Sequence, residues 1–142
     1  MRGRFFVVLS PEIEDKLQEF KNNDDRMKKF QTHPMGIDQG EEVLFSEFAD
    51  GGEMWTGAGP RERRTAIGFS EAFRSPPVVQ IAVSLWDVDT SSALRAEVQA
   101  EDITADGFNA VFRTWSDTRI ARIRVTWTAI GEVAHADDWD IS

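Results

Sequence analysis

From about residue 40 to residue 130, apolar and polar side chains alternate with a period of two, the spacing that puts successive side chains on opposite faces of a β-strand. Residues 42–48, 63–69, 78–87, 93–100, 108–115 and 119–130 are the candidate strands, and turn formers in "SPP", "DTSS", "TADG" and "WSDT" separate most of them. In 78–87 one face carries Val79, Ile81, Val83 and Leu85. In 108–115 the inward set is Phe108, Ala110, Phe112 and Thr114, which leaves Asn109, Arg113 and Trp115 on the other face. The last segment alternates Ile123, Val125, Trp127 and Ala129 with Arg122, Arg124, Thr126 and Thr128. Six short strands with this alternation predict an all-β chain, folded as a six-stranded antiparallel β-sandwich.

The first part of the chain has a different period. Ser10 is placed to cap a helix, Pro11 fits its first position, and Glu12 and Glu14 favour the positive end of its dipole. The pattern predicts a helix from Ser10 to about Gln31, with Ile13, Leu17, Phe20 and Met27 on one stripe and Asp24 at the missing seam position. Such a stripe serves either packing on its own domain or an oligomerising seam, and the segment is also a candidate docking site for a protein partner. Three regions follow: an N-terminal extension with the helix, residues 1–39, the sandwich, residues 40–131, and an acidic tail, residues 132–142, with Trp139 and Ile141 as docking groups.

Composition narrows the function. A chain of 142 residues is long enough for one domain with a proper core. The net charge of −9 argues against nucleic acid as a partner, because phosphate neutralisation needs a basic face. No apolar run reaches the length that crosses a bilayer, and Phe5 to Leu9 is shorter than the apolar core of a secretion signal, so neither membrane insertion nor a signal peptide is expected. The absence of cysteine removes disulfides, thiolate metal sites and thiol nucleophiles, and leaves the compartment undetermined.

Catalytic patterns are thin. His33 and His135 are the only histidines, neither stands in a ligand or nucleophile motif, and His33, before Pro34, reads as a surface residue. No catalytic residue, metal ligand or cofactor is therefore assigned. What stands out is tryptophan and arginine at strand ends: Arg95 after "DTSSAL", Trp115 before "SDT", and Arg61, Arg63 and Arg64 after "WTGAGP". Sugar recognition uses these types, an aromatic face against the C–H side of a pyranose and planar donors or carboxylates against its hydroxyls. Composition alone favours the plainer reading, with Trp115 as half-buried core at a strand end and Arg95 as a surface ion-pair partner.

Together, "RTAIGFSEAFRSPPVVQIAVSLWDVD", "LRAEVQAEDITADGFNAVFRTWSDTRI" and "VTWTAIG" resemble the H-type lectin family, which includes snail agglutinins and the C-terminal domain of slime-mould discoidins. The shared elements keep their order: Phe69 to Val79 with its Pro-Pro, Asp87, Leu94-Arg95, Thr104 to Phe108, Thr114 to Thr118, and Trp127. The resemblance implies a six-stranded sandwich that associates as a homotrimer and binds galactose or N-acetylgalactosamine without a metal at clefts between protomers. It implies Arg95 as a hydrogen-bond donor to the sugar and Trp115 as its packing residue, with Ser116 and Asp117 on the same turn. The family's acidic sugar-reading residue falls on or beside Ala58, Ser116 stands in place of a histidine and Ala121 in place of an aromatic; Glu53 and Glu62 are the carboxylates left near that loop, and Glu62 is taken as the substitute. Arg122 and Arg124 are expected at the oligomer interface, paired across it with acids such as Glu97 or Glu101. The alternative is a trimeric structural, assembly or fibre module that keeps the sandwich as a scaffold with lost or altered sugar binding.

Overall fold

The computed structural model describes residues 10–24 and 26–135, and the chain divides into two compact units, Met1–Gln31 and Thr32–Ser142. In the first unit, helix α1 spans Pro11–Asp24, with the Ser10 carbonyl accepting from the N–H groups of Ile13 and Glu14, both at 3.0 Å. The helix stops short of Gln31. Its last three residues, Asn22, Asn23 and Asp24, are of types with low helix propensity, so the sequence favours an end there. Ile13 and Leu17 therefore keep their helical spacing, whereas Met27 lies in irregular chain and is 70% exposed. Trp139 and Ile141 lie outside the described residues.

The second unit is the sandwich. Its strands are β1 (Met35–Ser46), β2 (Arg61–Gly68), β3 (Val78–Val88), β4 (Ala96–Glu101), β5 (Gly107–Thr114) and β6 (Ile120–Glu132), with a short helical turn α2 (Glu53–Thr56) between β1 and β2. They form two antiparallel three-stranded sheets, β1-β6-β3 and β2-β5-β4. The alternation read in β5 and β6 fixes their inner faces: Phe108, Ala110, Phe112 and Thr114 from one sheet, Ile123, Val125, Trp127 and Ala129 from the other, all buried. Phe45 and Phe112 meet edge to face at 5.4 Å, as do Phe108 and Trp127 at 5.5 Å.

Two local features depart from a plain period of two. β1 begins at Met35, seven residues before the expected position, because "PMGIDQG" reads as turn chemistry while its glycines serve packing. A Cβ on Gly40 would stand 2.9 Å from the Trp127 indole, so this strand passes the core with bare backbone. In β3 the register slips between Val83 and Leu85. Val79, Ile81 and Val83 pack on the core as expected, but Leu85 does not continue their face; beyond the slip Val88 packs inward and the Trp86 ring lies 6.2 Å from Phe112. His33, expected at the surface, is half-buried with its ring 5.5 Å from that of His135.

The strand order brings one set of connections to one end of the sandwich: β1 to β2 through α2, β3 to β4, and β5 to β6. The Trp115–Thr118 turn lies there, and so does the candidate site.

Candidate functional site

The β5 to β6 turn is short and tightly held. Ser116 has a φ of 62°, the left-handed region that a residue with a Cβ enters at a cost of about 1 kcal/mol or more. Its carbonyl accepts from the Gly59 N–H at 2.9 Å. Thr118, buried, donates its hydroxyl to the Ala93 carbonyl at 2.6 Å and accepts from the Arg95 N–H at 3.0 Å, while the Thr114 hydroxyl donates to the Arg95 carbonyl at 2.7 Å. Two threonine hydroxyls thus fix the backbone of Arg95 against both ends of the turn.

Arg61 closes the arrangement from beneath. It is buried, with 7% of its surface exposed. Its guanidinium donates to the carbonyls of Gly59 at 3.0 Å, Glu53 and Met54 at 3.2 Å, Thr118 at 2.8 Å and Ser116 at 3.4 Å. A buried cation whose partners are five carbonyls from two loops is a structural rivet, since the planar fork reaches several acceptors at once. In the sequence Arg61 stands out only beside Arg63 and Arg64 as a sugar-recognising type, and Thr114 and Thr118 only as ends of a shared element, so the structural part of all three is new here. The strand period does place Arg61 on the inner face with Arg63, opposite Glu62 and Arg64, and that is the signal that separates it from its neighbours.

Above this rivet lies an open depression of about 340 Å³, within the usual range of about 300–1,000 Å³ for small-ligand sites. Pro60 and Trp115 form its apolar walls, and Glu62, Glu97 and Arg113 its polar sides, with Arg61 and Thr114 behind. Trp115 is 40% exposed, so one part of its indole is available to a ligand. The register explains the grouping: Glu62 and Glu97 flank Arg113 on the two neighbouring strands, and the next step along the same face would set Arg95 across from Trp115.

The carboxylates are oriented by arginines. Arg113 reaches Glu62 and Glu101 at 2.8 Å and Glu97 at 3.4 Å, while Arg64 reaches Glu62 and Glu101 at 3.3 Å and Asp102 at 3.4 Å. The hydrogen bond to Glu101, then the charges of Glu101 and Glu62, hold the Arg113 pKa above its ordinary value. Each such exposed pair is worth little by itself. As a network they restrict where the carboxylate oxygens point, which matters to a ligand that must find two acceptors at fixed spacing.

Of the expected site residues, the structure brings Glu62 and Trp115 into one depression and sets the Arg95 backbone beside it. Ser116 and Asp117 are exposed on the turn beyond Trp115 and do not line it. Arg122 and Arg124 stand on the other sheet. Arg124 donates to the Ser84 hydroxyl at 3.1 Å, and Arg122 borders a second depression. Glu97 and Glu101 are engaged within the chain by Arg113.

Comparison with known proteins adds a pattern of relatives. A family model described as H-type lectin domain matches residues 64–130. A protein of Fuscovulum blasticum described as ATP synthase subunits region ORF 7 is 51% identical over 107 residues, which are 75% of this chain and 93% of that protein. A discoidin-1 polypeptide of Dictyostelium discoideum is 32% identical over 75 residues, 52% of this chain and 30% of that protein. In structure, discoidin II of Dictyostelium discoideum superimposes with a TM-score of 0.63 at 22% identity, over 75% of this chain and 41% of that chain. The chain thus spans less than half the length of either discoidin, and the structural likeness speaks to the fold.

Proposed function

We propose that this chain, which belongs to the H-type lectin domain family, binds the terminal sugar of a glycan in the depression between Pro60 and Trp115, without a metal and without chemical change to the sugar. The observation that carries this reading is the half-exposed Trp115 indole set beside carboxylates already oriented by Arg113. A pyranose lays its C–H face on the indole and turns its hydroxyls to Glu62 and Glu97, each hydroxyl donating to an ionised oxygen in a charge-assisted bond. Galactose and N-acetylgalactosamine suit this arrangement, because an axial 4-hydroxyl leaves the C–H groups at positions 3, 4 and 5 together on one face. Glu62 takes the part of the acidic residue missing near Ala58, and Arg95 donates from the rim.

Binding at one shallow site is weak, since few groups are buried and some polar desolvation is uncompensated. Assembly as a trimer multiplies it, through avidity and not through new contacts. Arg124, in the middle of the exposed face of β6, is the arginine we place towards a neighbour.

The test is a glycan array followed by titration calorimetry on the purified protein and on Trp115→Ala, Glu62→Gln and Arg95→Ala. Each substitution is expected to weaken binding at least about tenfold, about 1.4 kcal/mol, with the fold retained. Unchanged binding by Trp115→Ala would remove the proposal, and a well-folded protein that binds no glycan would favour the scaffold.

A further inference from the structure

The second depression, about 420 Å³, lies at the same end of the sandwich but on the other sheet, bordered by Phe48, Trp55, Asp87 and Arg122, with Ala49 and Ala121 as small neighbours. Phe48 is 62% exposed, an unusual place for a large apolar ring, and its ring meets that of Trp55 edge to face at 5.1 Å. Trp55 is held rigidly. The Arg119 guanidinium lies 4.5 Å from its ring centre, the Arg119 Nε donates to the Trp55 carbonyl at 2.9 Å, and Asp89 stands 3.4 Å from the same guanidinium. Asp89 is in turn fixed by the hydroxyl and N–H of Ser91 at 2.7 and 2.8 Å.

Ser46, Arg122 and Asp87 occupy one row across β1, β6 and β3. Arg122 and Asp87 are register partners of opposite charge, yet neither makes a side-chain hydrogen bond or ion pair among the described residues. The row thus offers a five-donor fork, a carboxylate acceptor and a hydroxyl beside an anchored aromatic wall, with one positive and one negative charge. A neutral ligand that both donates and accepts at adjacent positions matches that balance. An anion would meet Asp87, and a cation would meet Arg122.

We infer that the Phe48–Trp55 depression is a second carbohydrate-binding site, taking a neutral sugar ring with its C–H face on the aromatic wall and adjacent hydroxyls bridging Asp87 and Arg122. The inference rests on the reading of the chain as a carbohydrate binder, but on none of the residues of the Trp115 depression. The sheets of a sandwich are about 10 Å apart, so one sugar ring cannot fill both depressions, and the two bind separate sugars. Each chain then has two sites of different make-up.

The indole N–H signals of Trp55 and Trp115 report one depression each. They are followed by nitrogen-proton NMR, assigned by Trp→Phe variants, while methyl glycosides of galactose, N-acetylgalactosamine and glucose are titrated into the full chain. We expect both signals to shift, at different sugar concentrations. Phe48→Ala and Asp87→Asn should each weaken the Trp55 response at least about fivefold and leave the Trp115 response in place, and Glu62→Gln should weaken the Trp115 response and leave that of Trp55 in place. A shift at Trp115 alone overturns this inference and leaves the first site standing. A shift at Trp55 alone sustains it and removes the first site. No shift at either signal overturns both, and loss of both responses together in the folded Phe48→Ala protein overturns the inference of a second, separate site.

Discussion

Three arginines within four positions, Arg61, Arg63 and Arg64, meet three different fates. Arg61 is buried on five carbonyls, Arg63 pairs with Glu47 and lies 5.6 Å from the Phe45 ring centre, and Arg64 joins the exposed carboxylates of the outer face. Lysine at position 61 cannot span the Glu53–Gly59 loop and the Ser116–Thr118 turn at once. Arg61→Lys is expected to cost about 3 kcal/mol, since buried carbonyls lose charged donors, measured by chemical denaturation. Faster amide hydrogen exchange at residues 115–118, with strand amides unchanged, would show that the loss is local to the turn; equal protection in both proteins would deny Arg61 that role. At this scale the sequence was partly legible. Trp115 and Glu62 are named through the family resemblance, and the structure sets both at one depression, whereas the part Arg61 plays depends on its strand phase. His33 was misread because nothing local to "THPM" shows that His135, 102 positions on, packs beside it.

Elements were legible where a strand runs straight. β5 and β6 alternate over most of their length, with only Val111 and Ile120 buried out of phase, and the inner residues follow from the period. Three places were opaque. The start of β1 carries glycines that look like turns but make room for Trp127; the register slip in β3 moves the core face away from Leu85; and α1 ends at a run of weak helix formers that the apolar stripe alone passes over. Gly40→Ala is expected to destabilise the fold by about 1–3 kcal/mol, the usual cost of forcing a methyl into packed surroundings. Gly68→Ala is the control: nothing lies within 4 Å of its added Cβ, so stability should stay within about 0.5 kcal/mol. Thermal melts of both variants decide this, and equal loss at the two positions would mean that contact with Trp127 is not what excludes a side chain at residue 40.

For the whole molecule, the proposed trimer gives a particle of three 16.1 kDa chains, and light scattering on the purified protein measures it. Arg124→Glu is expected to lower that mass by reversing charge on the exposed face of β6 while leaving the Trp115 depression untouched. A monomer mass in the unaltered protein would leave each site to act singly, without avidity. None of the described helices is long and apolar enough to cross a membrane. Fold class came through at this scale because six strands and their turns restrict the architecture strongly. Sheet order did not, because β1 joins β6 from the opposite end of the sequence and no local pattern encodes that neighbour.

Met35, where β1 begins, pairs with Glu132, where β6 ends. Both chain ends of the sandwich therefore leave from the side opposite to the two depressions. A tag, a surface linkage or a second domain joined at either end would grip the sandwich by its base. The end that carries the two depressions would remain presented outward, in the way a stalk holds up what it carries.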